Sequence, residues 1–373
     1  MMAWLSTLAG LGLLALATVE VYATILHGRG RAGPVSEWIN QTTWAAARAW
    51  TARCSRAERH RRLNTVGPLL MPMLVFALLA LLLTGFALLY LPHMPGSFVF
   101  NPAIENEPEG VQAFYFSGVT LLTLGYGDIV PRTWPMRLVA LGEAASGFGV
   151  ISHAVTYLIT VYGALERKRA VALSVYHQAR EGADVARFVT HHFSGGEFRG
   201  LDDAMRMAAR DLQGLLEAHL EHPVIHYFHP VEVHKGVPRI LFIVLETAAV
   251  LRACVAAGES APKVEAPDRQ TLESSARYLL NTLCEALRLT AAPLRSEADA
   301  RWKERFKRTL RALEEDGIRT SDHDPAWETY RKNRGEWEGS LRVFAEYLGY
   351  DWEEVAGDDS LATAAQKVGE EFE

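Results

Sequence analysis

The chain has 373 residues, 49% of them hydrophobic and 22% charged, with 38 basic and 44 acidic side chains and a formal net charge of −6. Its three cysteines, Cys54, Cys254 and Cys284, are odd in number and widely spaced, which excludes a disulfide framework and a paired zinc motif. An acidic balance gives no reason to expect a nucleic-acid partner. There is no phosphate loop, dinucleotide fingerprint or nucleophile elbow, so the pattern is not that of an enzyme.

Charge is unevenly spread. Residues 1–163 contain 10 Arg, no Lys and 8 acids, whereas the remaining 210 residues hold 64 charges and sum to near −8. That shift predicts a membrane half followed by a soluble half. Residues 3–26 are apolar apart from Glu20 and predict a first membrane helix within segment 1–27, since about 20 apolar residues cross a bilayer. A cleaved leader is the competing reading, because Ala15-Leu16-Ala17 looks like a cleavage site. However, no Lys or Arg precedes the run, and cleavage would strand the next segment on the outer side.

That next segment, 28–66, carries Arg29, Arg31, Arg48, Arg53, Arg56, Arg59, Arg61 and Arg62 against Glu37 and Glu58, and is read as a basic cytoplasmic linker. Trp38, Trp44 and Trp50 within it suit an interfacial helix, although their six-residue spacing spreads them around it; contact with the C-terminal domain is the alternative. Residues 67–91 contain no charge and predict a second span. Residues 92–110 hold Glu105, Glu107 and Glu109 with no Lys or Arg, which places them outside, where they concentrate cations. Residues 112–123 are apolar but too short to cross, as expected of a half-buried helix. Residues 134–163 predict a third span containing Arg137 and Glu143, and Arg167-Lys168-Arg169 hold the rest of the chain inside. The topology is N-terminus outside and C-terminus cytoplasmic, in the lipid bilayer of a cell membrane. No span has Arg at every third position, so no voltage sensor is expected.

The soluble half reads as amphipathic helices near 165–192, 200–221, 237–257, 268–290, 296–316 and 325–348. They form a helical domain over 167–356, followed by an acidic tail over 357–373. Asp202 and Ser296 sit near helix starts, and Pro223, Pro230, Pro262, Pro267 and Pro293 punctuate the pattern. Ile240-Leu-Phe-Ile-Val-Leu245, hemmed by Arg239 and Glu246, predicts a core helix and not a fourth span. Eight of the thirteen His fall between His177 and His234. A metal or proton sensor is one reading of them; interruption by Pro223 and Pro230 favours ordinary exposed or packed histidines.

Between the second and third spans lies Thr120-Leu-Leu-Thr123-Leu124-Gly125-Tyr126-Gly127-Asp128. This stretch resembles the signature of the pore-loop potassium channel family, and the resemblance extends over about residues 67–166. It implies an all-α membrane protein: a tetrameric pore module of outer helix, pore helix, filter and inner helix, with an all-helical cytoplasmic domain and an extra N-terminal membrane helix. In that family four loops line up carbonyl oxygens that replace the water shell of K+. By this likeness Thr123, Leu124, Gly125 and Tyr126 supply the K+ ligands, Gly127 completes the loop, and Thr120, Asp128 and Tyr115 support it. The bound species are permeant K+ ions and no other cofactor is expected. Leu124 stands where the family usually has Val or Ile. Two of the family's three polar braces are replaced by Phe116 and Val119, leaving Tyr115 to reach Asp128.

On the inner helix Gly147 falls at the family's hinge, with close helix packing as the alternative. Val155, Thr156 and Ile159 fall on its pore-lining positions and are the gating candidates. Glu20, Glu143 and His153 lie within spans, where ionisable groups are costly. For Glu143 a structural bond behind the filter is expected, and for His153 a packed neutral ring. A passive K+-selective homotetrameric channel is the leading expectation, with an unidentified stimulus or partner acting on the helical domain. The alternatives are a channel-like signalling or scaffold protein that conducts little, and a subunit of a potassium transporter.

Overall fold

The computed structural model describes residues 2–26, 32–182, 184–256, 266–291 and 297–357. Residues 358–373 of the expected acidic tail lie outside these, as do Pro262, Pro293 and the proposed helix start at Ser296. The chain divides into two compact units. One comprises residues 1–47, 66–163 and 220–225; the other comprises residues 48–65, 164–219 and 226–373.

In the first unit, α1 (Met2–Val21) and α4 (Val66–Tyr90) lie against each other. Their backbones approach closely at Gly10, where a Cβ would sit 2.7 Å from the Gly85 carbonyl oxygen. Small residues serve this purpose in membranes, where tight packing replaces the hydrophobic effect. Glu20 is buried and accounts for its own presence in an apolar helix. Its carboxylate accepts from the backbone N–H groups of Val35 (2.8 Å) and Ser36 (3.0 Å), from the Ser36 hydroxyl, and from the Thr24 hydroxyl (2.9 Å). It therefore caps the start of α2 (Pro34–Thr51), whose first N–H groups lack helical acceptors and carry the positive end of the helix dipole. Of the linker tryptophans, Trp44 is buried, while Trp38 and Trp50 are exposed.

After α4 the chain forms the short α5 (Met94–Ser97), β1 (Phe98–Phe100), α6 (Glu109–Leu121), β2 (Ile129–Pro131) and α7 (Trp134–Gln178). The antiparallel pair β1–β2, Phe98 opposite Pro131, has no counterpart in the helical expectation. Helix α7 continues unbroken for 45 residues, about 68 Å at 1.5 Å per residue, well beyond a hydrocarbon core of about 30 Å. Among the described residues, three helical segments, Ala3–Thr24, Arg56–His93 and Trp134–Gln178, are long and apolar enough to cross a membrane, and each overlaps one of the three expected spans.

In the second unit, the expected helix over 165–192 is interrupted because Arg180 and Glu181 take φ values of 49° and 63°. A new helix, α8 (Val185–His191), then starts with Asp184 Oδ1 accepting from Ala186 N. The two-stranded turn β3 (Phe193–Ser194) and β4 (Glu197–Phe198) leads to α9 (Leu201–Glu221). Helix α10 (Val237–Ala253) is buried on nearly every face and packs against α8, α11 (Ala266–Ala286), α13 (His323–Gly335), α14 (Glu338–Tyr347) and α15 (Trp352–Ala356). The apolar run Ile240–Leu245 is thus the core of this unit. The remaining helix is α12 (Glu297–Glu315). The expected single helix over 325–348 is two, α13 and α14. At the break Trp337 is buried, and buried Arg334 bonds Glu246 (2.7 Å) from one helix and Glu338 (2.6 Å) from the next.

The domain boundaries also differ from the sequence reading. The linker does not stand apart: residues 48–65, including α3 (Arg56–Leu63), belong to the compact unit built by the C-terminal helices. Residues 220–225 group with the membrane unit. Both assignments rest on contacts between residues far apart in sequence, which charge and hydropathy patterns do not encode.

Candidate ion-selectivity filter

Helix α6 is thirteen residues long and ends at Leu121, immediately before the glycine-containing loop. Its entry is held by Gln112, whose Nε2 donates to the carbonyls of Ile104 (3.0 Å) and Glu105 (3.1 Å). At its exit Leu122, Thr123 and Leu124 donate their N–H groups back to the carbonyls of Gly118, Thr120 and Val119. The negative end of the α6 dipole therefore lies at the foot of the loop, where it favours a cation.

Within the loop Thr123, Gly125 and Gly127 have φ values of 56°, 61° and 77°, while Leu124 and Tyr126 are not left-handed. Alternating hands turns successive carbonyls to one side of the chain. At Gly125 and Gly127 the left-handed state costs little because there is no Cβ, whereas at Thr123 it is strained. Among the described residues, no backbone N–H takes a carbonyl of Thr123 to Gly127. All five residues are exposed in the single chain.

The outer end is anchored differently from the family pattern. Tyr115 Oη donates to Asp128 Oδ2 at 2.6 Å, and Ile129 N donates to Asp128 Oδ1 at 3.1 Å. The Asp128 carbonyl accepts from Asn101 N at 2.8 Å, extending the β1–β2 pair. Phe116 and Val119 are buried, and the Phe116 ring meets Tyr90 and Phe98 edge-on at 5.0 Å each. Of the two positions that lost polar braces, Phe116 thus belongs to an apolar core behind the loop, and Val119 is buried outside that core. The β1–β2 tie was not foreseen; the β-branched and aromatic residues Phe98-Val-Phe100 and Ile129-Val130 were its only signal.

Behind the filter Glu143 of α7 is buried between helices. Its Oε2 accepts from Tyr90 Oη (2.7 Å), and its Oε1 lies 2.5 Å from Ser117 Oγ on α6. One carboxyl group therefore ties inner, outer and pore helices together. Gly147 sits one turn further on, where an added Cβ would lie 2.0 Å from the Leu121 carbonyl oxygen. Helix α7 runs straight through this position as regular helix, so close approach to the foot of the filter is what its missing side chain permits. His153 is exposed in the single chain and its Nδ1 bonds the Gly149 carbonyl, so it is not packed within the chain as expected. Val155, Thr156 and Ile159 are all exposed. Val155 and Ile159 border an apolar crevice of about 440 Å³ that also involves Met71, Leu74 and Leu78 of α4, and Thr156 does not.

This geometry defines an ion-channel pore module. Residues 73–163 match a family model described as ion channel, and this segment is a pore of the pore-loop potassium channel kind. An uncharacterized membrane protein of Bacillus subtilis, YdjJ, is 28% identical over 246 residues, which is 65% of this chain and 68% of that protein. The voltage-gated potassium channel Kch of Escherichia coli is 41% identical over 68 residues, 18% of this chain and 15% of Kch. Two-pore potassium channel 1 of Arabidopsis thaliana is 35% identical over 71 residues, 18% of each chain. The likeness to the two named channels covers under a fifth of this chain and under a fifth of each of theirs. No solved structure matches the chain.

Proposed function

We propose that the chain is a potassium-selective channel that works as a homotetramer and conducts passively through Thr123–Gly127. The observation that carries this reading is the alternation of left-handed φ at 123, 125 and 127, with loop carbonyls that no backbone N–H claims. A single loop offers a cation one edge of carbonyls. Four copies around an axis supply the six to eight oxygens that a desolvated K+ needs, which is why closure of a ring is part of the proposal. The basic linker and Arg167–Arg169 support an orientation with the filter mouth outside and the C-terminal unit in the cytoplasm. The membrane is then the plasma or inner membrane of the cell.

The C-terminal unit is connected to the pore in two places along the chain, which supports a regulatory role. Residues 48–65 lie between α1 and α4, and α7 leads directly from the pore into residues 164–178. Purified protein in K+-loaded liposomes tests the proposal: K+ efflux should be fast, and Na+ efflux under the same gradient at least tenfold slower. An intact tetramer that passes neither ion would leave the channel-like scaffold as the better reading.

A further inference from the structure

His60 on α3 and His229, 169 positions later, meet in the interior of the C-terminal unit. His60 Nδ1 is 2.6 Å from His229 Nε2, and the two rings are parallel to within 8°. The other nitrogen of His60, Nε2, is 3.1 Å from Glu354 Oε1 on α15. Both imidazoles are almost fully buried. None of these residues contributes to the ion pathway, and His60 lies outside the histidine-rich stretch singled out in the sequence.

The protons of this chain of contacts can be counted. An ionised carboxylate only accepts, so His60 Nε2 carries a hydrogen. The nitrogen–nitrogen contact needs one hydrogen and one lone pair. Two states satisfy it: both rings neutral with His229 donating from Nε2, which gives up the bond from His229 to the Leu348 backbone, or His60 charged and donating to a neutral His229, which keeps that bond. A second charge would put N–H on both facing nitrogens, and two hydrogens cannot occupy a 2.6 Å contact. The pair therefore holds one extra proton and rejects the next.

The surroundings point the same way. Arg59 on α3 and Lys168 on α7, ten residues before its end, face His229 with positive charge, and the Tyr350 ring packs on both imidazoles at 5.3 and 4.5 Å. Burial first, then His60 and Lys168, hold His229 well below the ordinary imidazole value of 6.5. α3 is also held by fully buried Leu63, which lies against Gly349, by the ion pairs of Arg56 and Arg59 with Asp351, at 2.6 and 2.9 Å, and, just after the helix, by Asn64 Nδ2 donating to the His229 carbonyl at 2.7 Å. Glu354 also accepts from Asp351 N and lies 3.6 Å from Arg59.

We propose that the His60–His229 pair is a proton-binding site that latches α3 to the C-terminal helices with at most one extra proton and releases it on taking up a second. Acid on the side of the C-terminal unit then acts on the segment that leads through Asn64 and Thr65 into the outer helix α4. That last step rests on the channel reading above; the latch itself does not. The sign follows from linkage. A histidine held below 6.5 in the closed latch binds its proton more readily when the latch opens, so closure is complete above pH 6.5 and weakens as pH falls through it. Asp351 and Glu354 are both held below their ordinary values, 3.8 and 4.5, despite burial, by hydrogen bonds from Arg59 and His60 respectively, so they yield only at lower pH.

Hydrogen exchange of residues 56–63 in the full chain, in lipid nanodiscs at pH 7.5 and 5.5, tests the latch after correction for intrinsic rates. A single released histidine with its ordinary pKa predicts about a tenfold loss of protection at pH 5.5. His229→Gln, alone and combined with His60→Gln, removes the titrating ring while keeping polar groups in place, and should abolish the pH dependence. Equal protection of the wild type at both pH values overturns the proposal, as does a tenfold loss that persists in both variants. Liposome K+ flux, run in parallel, separates the two readings. A pH-dependent latch in a protein without flux keeps the proton site and removes the channel; flux that responds to pH in the wild type and in neither variant supports both.

Discussion

Replacing Gly147 by Ala puts two opposed effects of similar size on one position. Alanine favours an exposed helix interior by about 1 kcal/mol over glycine. Its methyl, however, would stand 2.0 Å from the Leu121 carbonyl oxygen and 3.0 Å from the Leu121 carbonyl carbon. Relief requires helix or loop backbone to move by about 1 Å, and overpacking of this kind costs about 1–3 kcal/mol. Backbone at Leu121 has little freedom, because Leu122, Thr123 and Leu124 are hydrogen-bonded to the last turn of α6. We therefore expect net destabilisation by up to about 2 kcal/mol per chain, with the strain delivered two residues below Thr123. The assay pairs thermal unfolding of the full chain in detergent with K+ and Na+ flux. Gly147→Ala should lower the melting temperature and weaken K+ selectivity. Gly163→Ala, where an added Cβ meets nothing within 4 Å, should do neither. The reasoning is refuted by a Gly147→Ala protein with unchanged stability and selectivity that is locked in one gating state. That outcome would make Gly147 a hinge.

Gly125→Ala should remove K+ flux while leaving membrane insertion intact: φ is 61° and no atom opposes the added methyl, so the cost is the left-handed backbone itself, about 1–2 kcal/mol. Tyr115→Phe removes the hydroxyl that bonds Asp128 and should make flux more dependent on external K+, read by titrating K+ against wild type. Phe116→Trp should not restore a brace, since the ring at 116 is enclosed by Tyr90 and Phe98; unfolding at lower temperature with no gain at low K+ is the expected result. Glu20→Gln trades an acceptor of four donors for a neutral group, and should raise hydrogen exchange over residues 34–40 severalfold, with loss of about 0.5–1 kcal/mol of charge–dipole stabilisation.

The candidate filter loop stood out in the sequence because the proposed chemistry demands particular residues at fixed spacing, and the spans were legible because hydropathy demands length. What stayed hidden depends on partners distant in the chain. Glu20 reads from sequence as an unexplained charge in a membrane helix; only the fold brings the start of α2 to it. Gly147 reads equally as hinge or contact until Leu121 is seen against it. Phe116 and Val119 read as two missing braces, and the structure shows two buried apolar side chains, Phe116 within the apolar cluster of Tyr90 and Phe98. The break between α13 and α14 follows Gly335, a local stop signal that the expectation of one continuous helix passed over. The proposed separation of linker and C-terminal domain failed because α3 is a short, charged helix with no apolar stripe long enough to predict its burial.

That short helix also bears on where control of the pore can reside. Inner helix α7 is regular from Trp134 to Gln178, and its buried positions Val161, Ala164, Leu165, Val171 and Val175 keep helical spacing through the membrane boundary. A continuous helix transmits displacement with little loss, so a rearrangement beginning near residue 178 is carried along the same rod that supports the filter through Glu143 and Gly147. On the other side, only Asn64 and Thr65 separate α3 from α4, too few residues to absorb a shift of several ångströms, because each extended residue spans at most about 3.6 Å. Movement of α3 must therefore appear in α4, or α3 must be let go. The contacts that hold α3 include partly exposed ion pairs, which contribute little each, the buried Leu63 side chain, and one buried histidine pair that on the proposal above tolerates a single extra proton. The weight of the decision falls on the buried pair, because its closure is the only one of these contacts that protonation near neutral pH removes outright.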